Sequence, residues 1–161
     1  MDILIIFLGS YLHFFIIATA LLSVIFASSK IRLEYISFLI FVGLLAYLLG
    51  ELVGMVVYNP RPFVVLDVVP LIPHDPTNGF PSTHALVSIS IAFAVFIFNK
   101  KLGFILFLFG ILVGVGRIFA QIHSVEDVLG SIVVSLVAVC AGLFVKKVFR
   151  KLKEQKILMK F

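Results

Sequence analysis

Five apolar runs, each close to the length that crosses a bilayer, leave this chain little choice of fold. The first, 3–27, has Ser10, His13, Thr19 and Ser23 as its polar interruptions. The second, 36–58, carries Glu51; the third, 85–98, is read as completed by the residues just before it; 102–120 and 128–145 follow. About 20 residues of helix cross a hydrocarbon core of roughly 30 Å. Of the 161 residues 62% are hydrophobic and only 13% charged, with mean hydropathy +1.24. A soluble domain keeps about 25% charged residues for its surface, so lipid must be the solvent for most of this chain. The expectation is all-α: a polytopic membrane helix bundle of about five transmembrane helices, forming one membrane-embedded domain over 1–161. The first run is too long for a signal peptide and has neither a basic start nor a small-residue cleavage site, so it reads as a retained helix. The lone cysteine, Cys140, excludes a disulfide framework or zinc spacing and reads as a packing residue.

Lys and Arg set the orientation. Lys30 and Arg32 separate runs one and two, Lys100 and Lys101 separate three and four, and seven more basic residues follow run five in the tail 146–161. With five spans, eleven of the thirteen basic residues share one side. That side is expected to be cytoplasmic, with the N-terminus outside and the C-terminus inside a plasma (inner) membrane. A net charge of +5 would suit nucleic acid, but the basic tail reads more simply as a topology anchor among anionic lipid headgroups. Nucleic acid is not an expected partner.

Only Arg61 and Arg117 fall on the opposite, outer side, and His74, His84, His123, Asp67, Asp75, Glu126 and Asp127 join them there. All six prolines lie between Pro60 and Pro81, which makes 59–80 an irregular loop and not a span. Pro81-Ser82-Thr83-His84 opens the third helix, where free backbone N–H groups, a hydroxyl and the positive dipole end suit a phosphate group. Taken alone this is also an ordinary helix cap. Asp127 follows His123 by four residues, so on a helix the two share a face and the carboxylate orients the imidazole; taken alone the pair is also an exposed salt bridge.

Arriving together, Arg61-Pro62, Pro81-Ser82-Thr83-His84 and Arg117 with His123 and Asp127 resemble the type 2 phosphatidic acid phosphatase superfamily. Its pattern is Lys-x6-Arg-Pro, Pro-Ser-Gly-His and Ser-Arg-x5-His-x3-Asp, and the motif-bearing region here is 54–130. Three positions depart: Gly54 stands where the Lys would fall, Thr83 where the Gly would, and Gly116 where the Ser would. The text from Asn59 through Arg61-Pro62-Phe63, Pro73-His74-Asp75 and Phe80-Pro81, closing on Glu126-Asp127-Val128-Leu129-Gly130, is similar to undecaprenyl-diphosphatases of the bacitracin-resistance type.

The resemblance implies a metal-independent phosphatase without cofactors. In it His123 is the nucleophile that becomes a phosphohistidine, Asp127 its orienting partner, and His84 the acid that protonates the leaving oxygen and later activates water. Arg61, Arg117, Ser82 and Thr83 would bind phosphate at the outer face, and the partners would be membrane lipids and a polyprenyl or other lipid phosphate substrate. No acidic cluster has metal-ligand spacing. Glu51, within run two, either faces the site or makes a structural hydrogen bond. His74 and Asp75 either hold the second phosphate of a diphosphate or brace the loop. His13 reads as a hydrogen-bonding packing residue, and Gly110, Gly114 and Gly116 mark close helix packing. The leading expectation is hydrolysis of undecaprenyl diphosphate. Phosphatidylglycerophosphate, phosphatidic acid and lipid A are alternative substrates, and a catalytically inactive relative remains open because of Gly54.

Overall fold

The computed structural model describes residues 1–158. Among these residues the chain forms helices and no strand: α1 (Asp2–Ser10), α2 (Leu12–Ile25), α3 (Ser29–Val56), α4 (Pro62–Val65), α5 (Thr83–Phe98), α6 (Lys100–Phe119) and α7 (Val125–Leu158). Long uncharged runs with few glycines favour helix, because in lipid each backbone polar group must bond within its own segment. The 28 residues of α3 rise about 42 Å, more than a hydrocarbon core requires.

α5 is the hub, packing against α2, α3, α6 and α7. Its Ala85, Leu86, Ile89, Ala92, Ala94 and Val95 are buried, and the core continues through Ile16, Val42, Leu106 and Val113. The outward faces are equally apolar: Phe14, Leu44, Phe104 and Phe144 are exposed, as suits a surface solvated by acyl chains. Cys140 is exposed on α7, which corrects its reading as a packing residue.

Glycines let the helices close up. Cβ atoms added at Gly110 and Gly114 would meet Ile89 of α5 at 3.0 Å and Val128 of α7 at 2.6 Å, and one at Gly116 would lie 2.6 Å from the Gly9 nitrogen of α1. The small residues of α6 are therefore its contact points, as expected from the sequence. α5 and α6 are joined by Asn99 alone, whose Oδ1 accepts from Leu102 N at 3.0 Å and caps α6.

The span pattern is coarser than five continuous crossings. Three helices, α3, α6 and α7, are each long and apolar enough to cross a membrane, and α1 with α2 makes a fourth if the pair is one span bent by 43°. The break falls at Tyr11, inside what the sequence presents as a single run. Thr83 and His84 extend the 85–98 run to the 16 residues of α5, with Ser82 as the N-cap, and the residues before Ser82 do not join it. Pro81 and the turn before it hold those residues out of the helix, and the 59–80 loop carries only the short α4 and a bridge between Pro60 and Asn78.

The basic residues do collect at one end. Lys146 pairs with Glu34 and lies 4.9 Å from the Phe98 ring centroid, which brings together the start of α3, the α5–α6 junction and the later part of α7. Lys160 of the basic tail lies outside the described residues. The site-bearing segments occupy the other end.

Candidate active site

α6 ends in a Schellman turn that places two of the predicted residues. Ala120 is the C-cap, Gln121 N donates to Ile118 O at 2.9 Å, and Ile122 N to Arg117 O at 3.3 Å. The left-handed position is filled by Gln121, at φ 64°, where glycine is usual. The reversal turns His123 back over Arg117, and its own N–H lies 3.4 Å from the Arg117 carbonyl.

α7 then begins with a capping box that fixes Asp127. Ser124 N donates to Asp127 Oδ2 at 2.9 Å, and Asp127 N to Ser124 Oγ at 3.2 Å. Asp127 Oδ2 also lies 3.2 Å from His123 Nδ1, and Oδ1 accepts from Asn59 Nδ2 at 2.8 Å. The expected His123–Asp127 pair is therefore present, although for a different reason: His123 precedes α7, and the turn, not a helix face, makes the contact. With Nδ1–H committed to Asp127, His123 Nε2 carries its lone pair into the site. There it accepts from Arg61 Nη1 at 3.4 Å and Arg117 Nη2 at 3.3 Å. Burial pushes the His123 pKa down; Asp127 opposes this, and the two guanidinium groups add to it.

Both arginines are buried and held by backbone carbonyls. Arg61 donates to Ile122 O at 2.8 Å and Asn78 O at 3.1 Å, while Arg117 reaches Gly9 O at 3.3 Å. Gly9 lies in the last turn of α1, where carbonyls lack helical partners and the dipole end is negative. The break after Ser10 thus gives Arg117 an acceptor that an unbroken helix would not. Ser82 is tied to α7, its N–H donating to Asp127 O at 3.3 Å and its carbonyl accepting from Ser131 Oγ at 2.9 Å.

After these bonds, three buried donors have no partner: Arg61 Nε, Arg117 Nε and Ser82 Oγ. Unpaired buried polar atoms are costly and rare; the two arginines that carry such atoms line, with His123, a cavity of about 530 Å³, in whose wall the buried Ser82 takes no part. Arg61, Arg117, His123, His84, Thr83 and His74 all line it. Glu51 also lines the cavity. Asp75 is exposed and does not line it. His74 does, with Nε2 3.2 Å from Arg117 Nη2.

Sequence reasoning missed three supports. Asn78 accepts from Asn59 N and Phe80 N at 2.9 and 3.0 Å, and donates to Gly54 O and Val57 O, both at 2.8 Å. Asn59 and Ser124 hold Asp127 as described. Ser124-x-x-Asp127 is a capping-box signature legible in the sequence; the long-range bonds of Asn59 and Asn78 are not. His13 is also placed differently, with its ring 4.6 Å from that of His84, edge to face, and its Nδ1 buried without a hydrogen bond. It packs and does not hydrogen-bond. Among the described residues no three of His, Cys, Asp and Glu converge as a metal site.

The chain is 39% identical over 95 residues to undecaprenyl-diphosphatase BcrC of Bacillus subtilis (strain 168), covering 59% of this chain and 49% of that relative. It is 32% identical over 140 residues to the bacitracin transport permease protein BcrC of Bacillus licheniformis, covering 86% and 67% respectively. The chain thus spans about half the length of the first of these and two thirds of the second. The crystal structure of Aquifex aeolicus LpxE shares the fold, with TM-score 0.63 and 24% identity over 87% of this chain and 92% of that one. Residues 33–153 match the PAP2 superfamily as a whole, and the chain belongs to that superfamily.

Proposed function

We propose that this protein is a metal-independent membrane phosphatase that releases phosphate from a polyprenyl diphosphate, undecaprenyl diphosphate being the leading substrate, through a phosphohistidine at His123. The observation that carries the reading is the pair of buried guanidinium groups whose Nη atoms meet His123 Nε2 and whose Nε donors have no partner. The two arginines line the cavity with His123 and can receive an anion there, with the unpaired Ser82 hydroxyl at the start of α5 as a further donor. In the first step Nε2 attacks phosphorus, an N–P bond forms, and the bond to the bridging oxygen breaks. The electron pair leaves on the lipid monophosphate, and His84 gives that oxygen a proton. In the second step water attacks phosphorus and passes its proton to His84; the N–P bond breaks and inorganic phosphate departs. The arginines and the Ser82 hydroxyl stabilise the charge spread over the equatorial oxygens.

The names of the two relatives point to different activities, one a diphosphatase and the other a transport permease. The site favours the phosphatase, because Arg61, Arg117, His84 and His123 converge on one cavity, the arrangement that binding and cleaving a phosphate requires. The grouping of basic residues at that end supports a cytoplasmic tail and a site facing outward. Completing α5 as a fifth crossing needs the extended residues before Thr83 to occupy part of the bilayer depth.

The test is phosphate release by the detergent-purified protein from undecaprenyl diphosphate, phosphatidylglycerophosphate, phosphatidic acid and lipid A, with and without EDTA. Release should be fastest from the diphosphate, should survive EDTA, and should be blocked by vanadate, which adopts the trigonal-bipyramidal shape of the transition state. Loss of activity on chelation, restored by magnesium, contradicts the histidine mechanism.

A further inference from the structure

The cavity has two guanidinium groups and no lysine, and the geometry explains why α3 contributes none. A Cβ at Gly54 would lie 2.9 Å from the Phe80 carbonyl oxygen and 3.8 Å from Pro81 Cδ. Asn78 fastens the same stretch by donating to Gly54 O at 2.8 Å. The close approach of α3 to the 78–81 segment therefore closes this position to any side chain. His74, on the same cavity, places Nε2 3.2 Å from Arg117 Nη2, with its ring 6.1 Å from that of His123. Arg117 Nη2 is shared between the two imidazoles, both of which must accept from it. His74 is consequently neutral in the empty site.

Resting on the phosphatase reading, we propose that His74 is the third cationic contact to the phosphate, taking up a proton as the anion enters and draws Arg117 away from it. The surroundings of His74 make this a two-state group. Arg61 before α4, Arg117 on α6, His123 in the α6–α7 turn and His84 on α5 all face the cavity with it. Glu51 of α3 lies on the same cavity, Asp75 adjoins it in the chain, and His13 of α2 stands behind His84. Burial, with Arg61, Arg117 and His123, holds its pKa down to about 4, against the pull of the Pro73 carbonyl. A phosphate dianion between the arginines reverses the local field and favours imidazolium, whose Nε2–H then donates to a phosphate oxygen. Asp75, exposed and off the cavity, has no such part.

The sign follows from linkage. Where His74 is neutral in the empty site and protonated in the complex, binding consumes a proton and tightens by up to about tenfold per unit fall in pH. The probe is inorganic phosphate as an inhibitor of the intact protein in detergent, its inhibition constant measured from pH 6 to 8. Its own titration is common to all variants and cancels in the comparison. Wild type should show an additional loss of affinity as pH rises, which His74→Gln lacks. His74→Lys, a permanent cation, should bind phosphate at least tenfold more tightly than wild type at pH 8 and should also lack the additional slope. If His74→Gln keeps the wild-type slope, the proposal fails. Should His74→Gln not fold, His74→Lys decides alone, and wild-type affinity and slope in that variant overturn the idea. Wild type that neither binds inorganic phosphate nor releases it from any lipid phosphate would instead refute the function on which the proposal rests.

Discussion

Asp127 shows why the residue types at this site are so constrained. Its two oxygens accept from Ser124 N, Asn59 Nδ2 and His123 Nδ1, three donors that only a carboxylate satisfies together. In Asp127→Asn one oxygen becomes an NH2 facing a donor, and His123 loses its fixed tautomer. Turnover should fall by on the order of 10²–10⁴-fold with little change in phosphate affinity, measured as kcat and the phosphate inhibition constant. His84→Ala should affect substrates unequally, because a phosphate monoester leaves with less need of a proton than an alkoxide does. The first step should slow more for an alkyl monophosphate than for the diphosphate, which single-turnover product release measures directly. His74 also gives stability a pH dependence. With its folded pKa lowered to about 4, the unfolded chain binds more protons below pH 6.5. The stability this represents is therefore present above that pH and is lost as pH falls from about 6.5 toward 4. Thermal unfolding in detergent should show a lower Tm at pH 5 than at pH 7.5, and His74→Gln should reduce the difference.

Among the elements, the ends of helices position the chemistry. The left-handed Gln121, φ 64°, lets α6 reverse so that Arg117 and His123 meet. Glycine adopts this conformation without strain, whereas a β-branched residue does not, at a cost of roughly 1–2 kcal/mol. Gln121→Gly should leave Tm level or raised, and Gln121→Val should lower both Tm and activity. The α1–α6 contact is equally specific, since a Cβ at Gly116 would lie 2.6 Å from Gly9 N. Gly116→Ala should push α1 outward and take the Gly9 carbonyl from Arg117, destabilising by about 1–3 kcal/mol and weakening phosphate binding. Much of this was legible in the sequence: the apolar lengths predicted the long helices, Pro81-Ser82-Thr83 the start of α5, and the glycines of α6 its close contacts. The break at Tyr11 was not legible, because an apolar run looks the same whether a helix crosses it straight or bends to meet a neighbouring backbone. The Asn59 and Asn78 bonds reach across 68 and 24 residues, and no local periodicity encodes such a pairing.

For the molecule as a whole, charge is sorted along the bundle. Lys30, Arg32, Lys100, Lys101 and Lys146 gather at one end, and the buried Arg61 and Arg117 stand at the other. This sorting was legible because it depends only on where charges interrupt apolar runs, and the convergence of Arg61, His84, Arg117 and His123 on one cavity was legible because three motif blocks occur in order. What the motifs did not carry is the way Gly54 is sealed by the 78–81 segment, which turns an apparent defect into a packing requirement. The orientation can be read with Cys140→Ala as background. A cysteine at Val69, 94% exposed, should react with a membrane-impermeant thiol reagent in intact cells, and one at Gln155 should not; the reverse pattern would place the chemistry in the cytoplasm. The central claim is that phosphate passes through His123 on its way from lipid to water. Rapid-quench labelling with undecaprenyl diphosphate radiolabelled in its terminal phosphate tests it most directly. Wild type should show a transient, acid-labile and base-stable phosphoenzyme, His84→Ala should accumulate it, and His123→Ala should form none. A phosphoenzyme in His123→Ala together with none in His84→Ala would contradict the account and exchange the two roles.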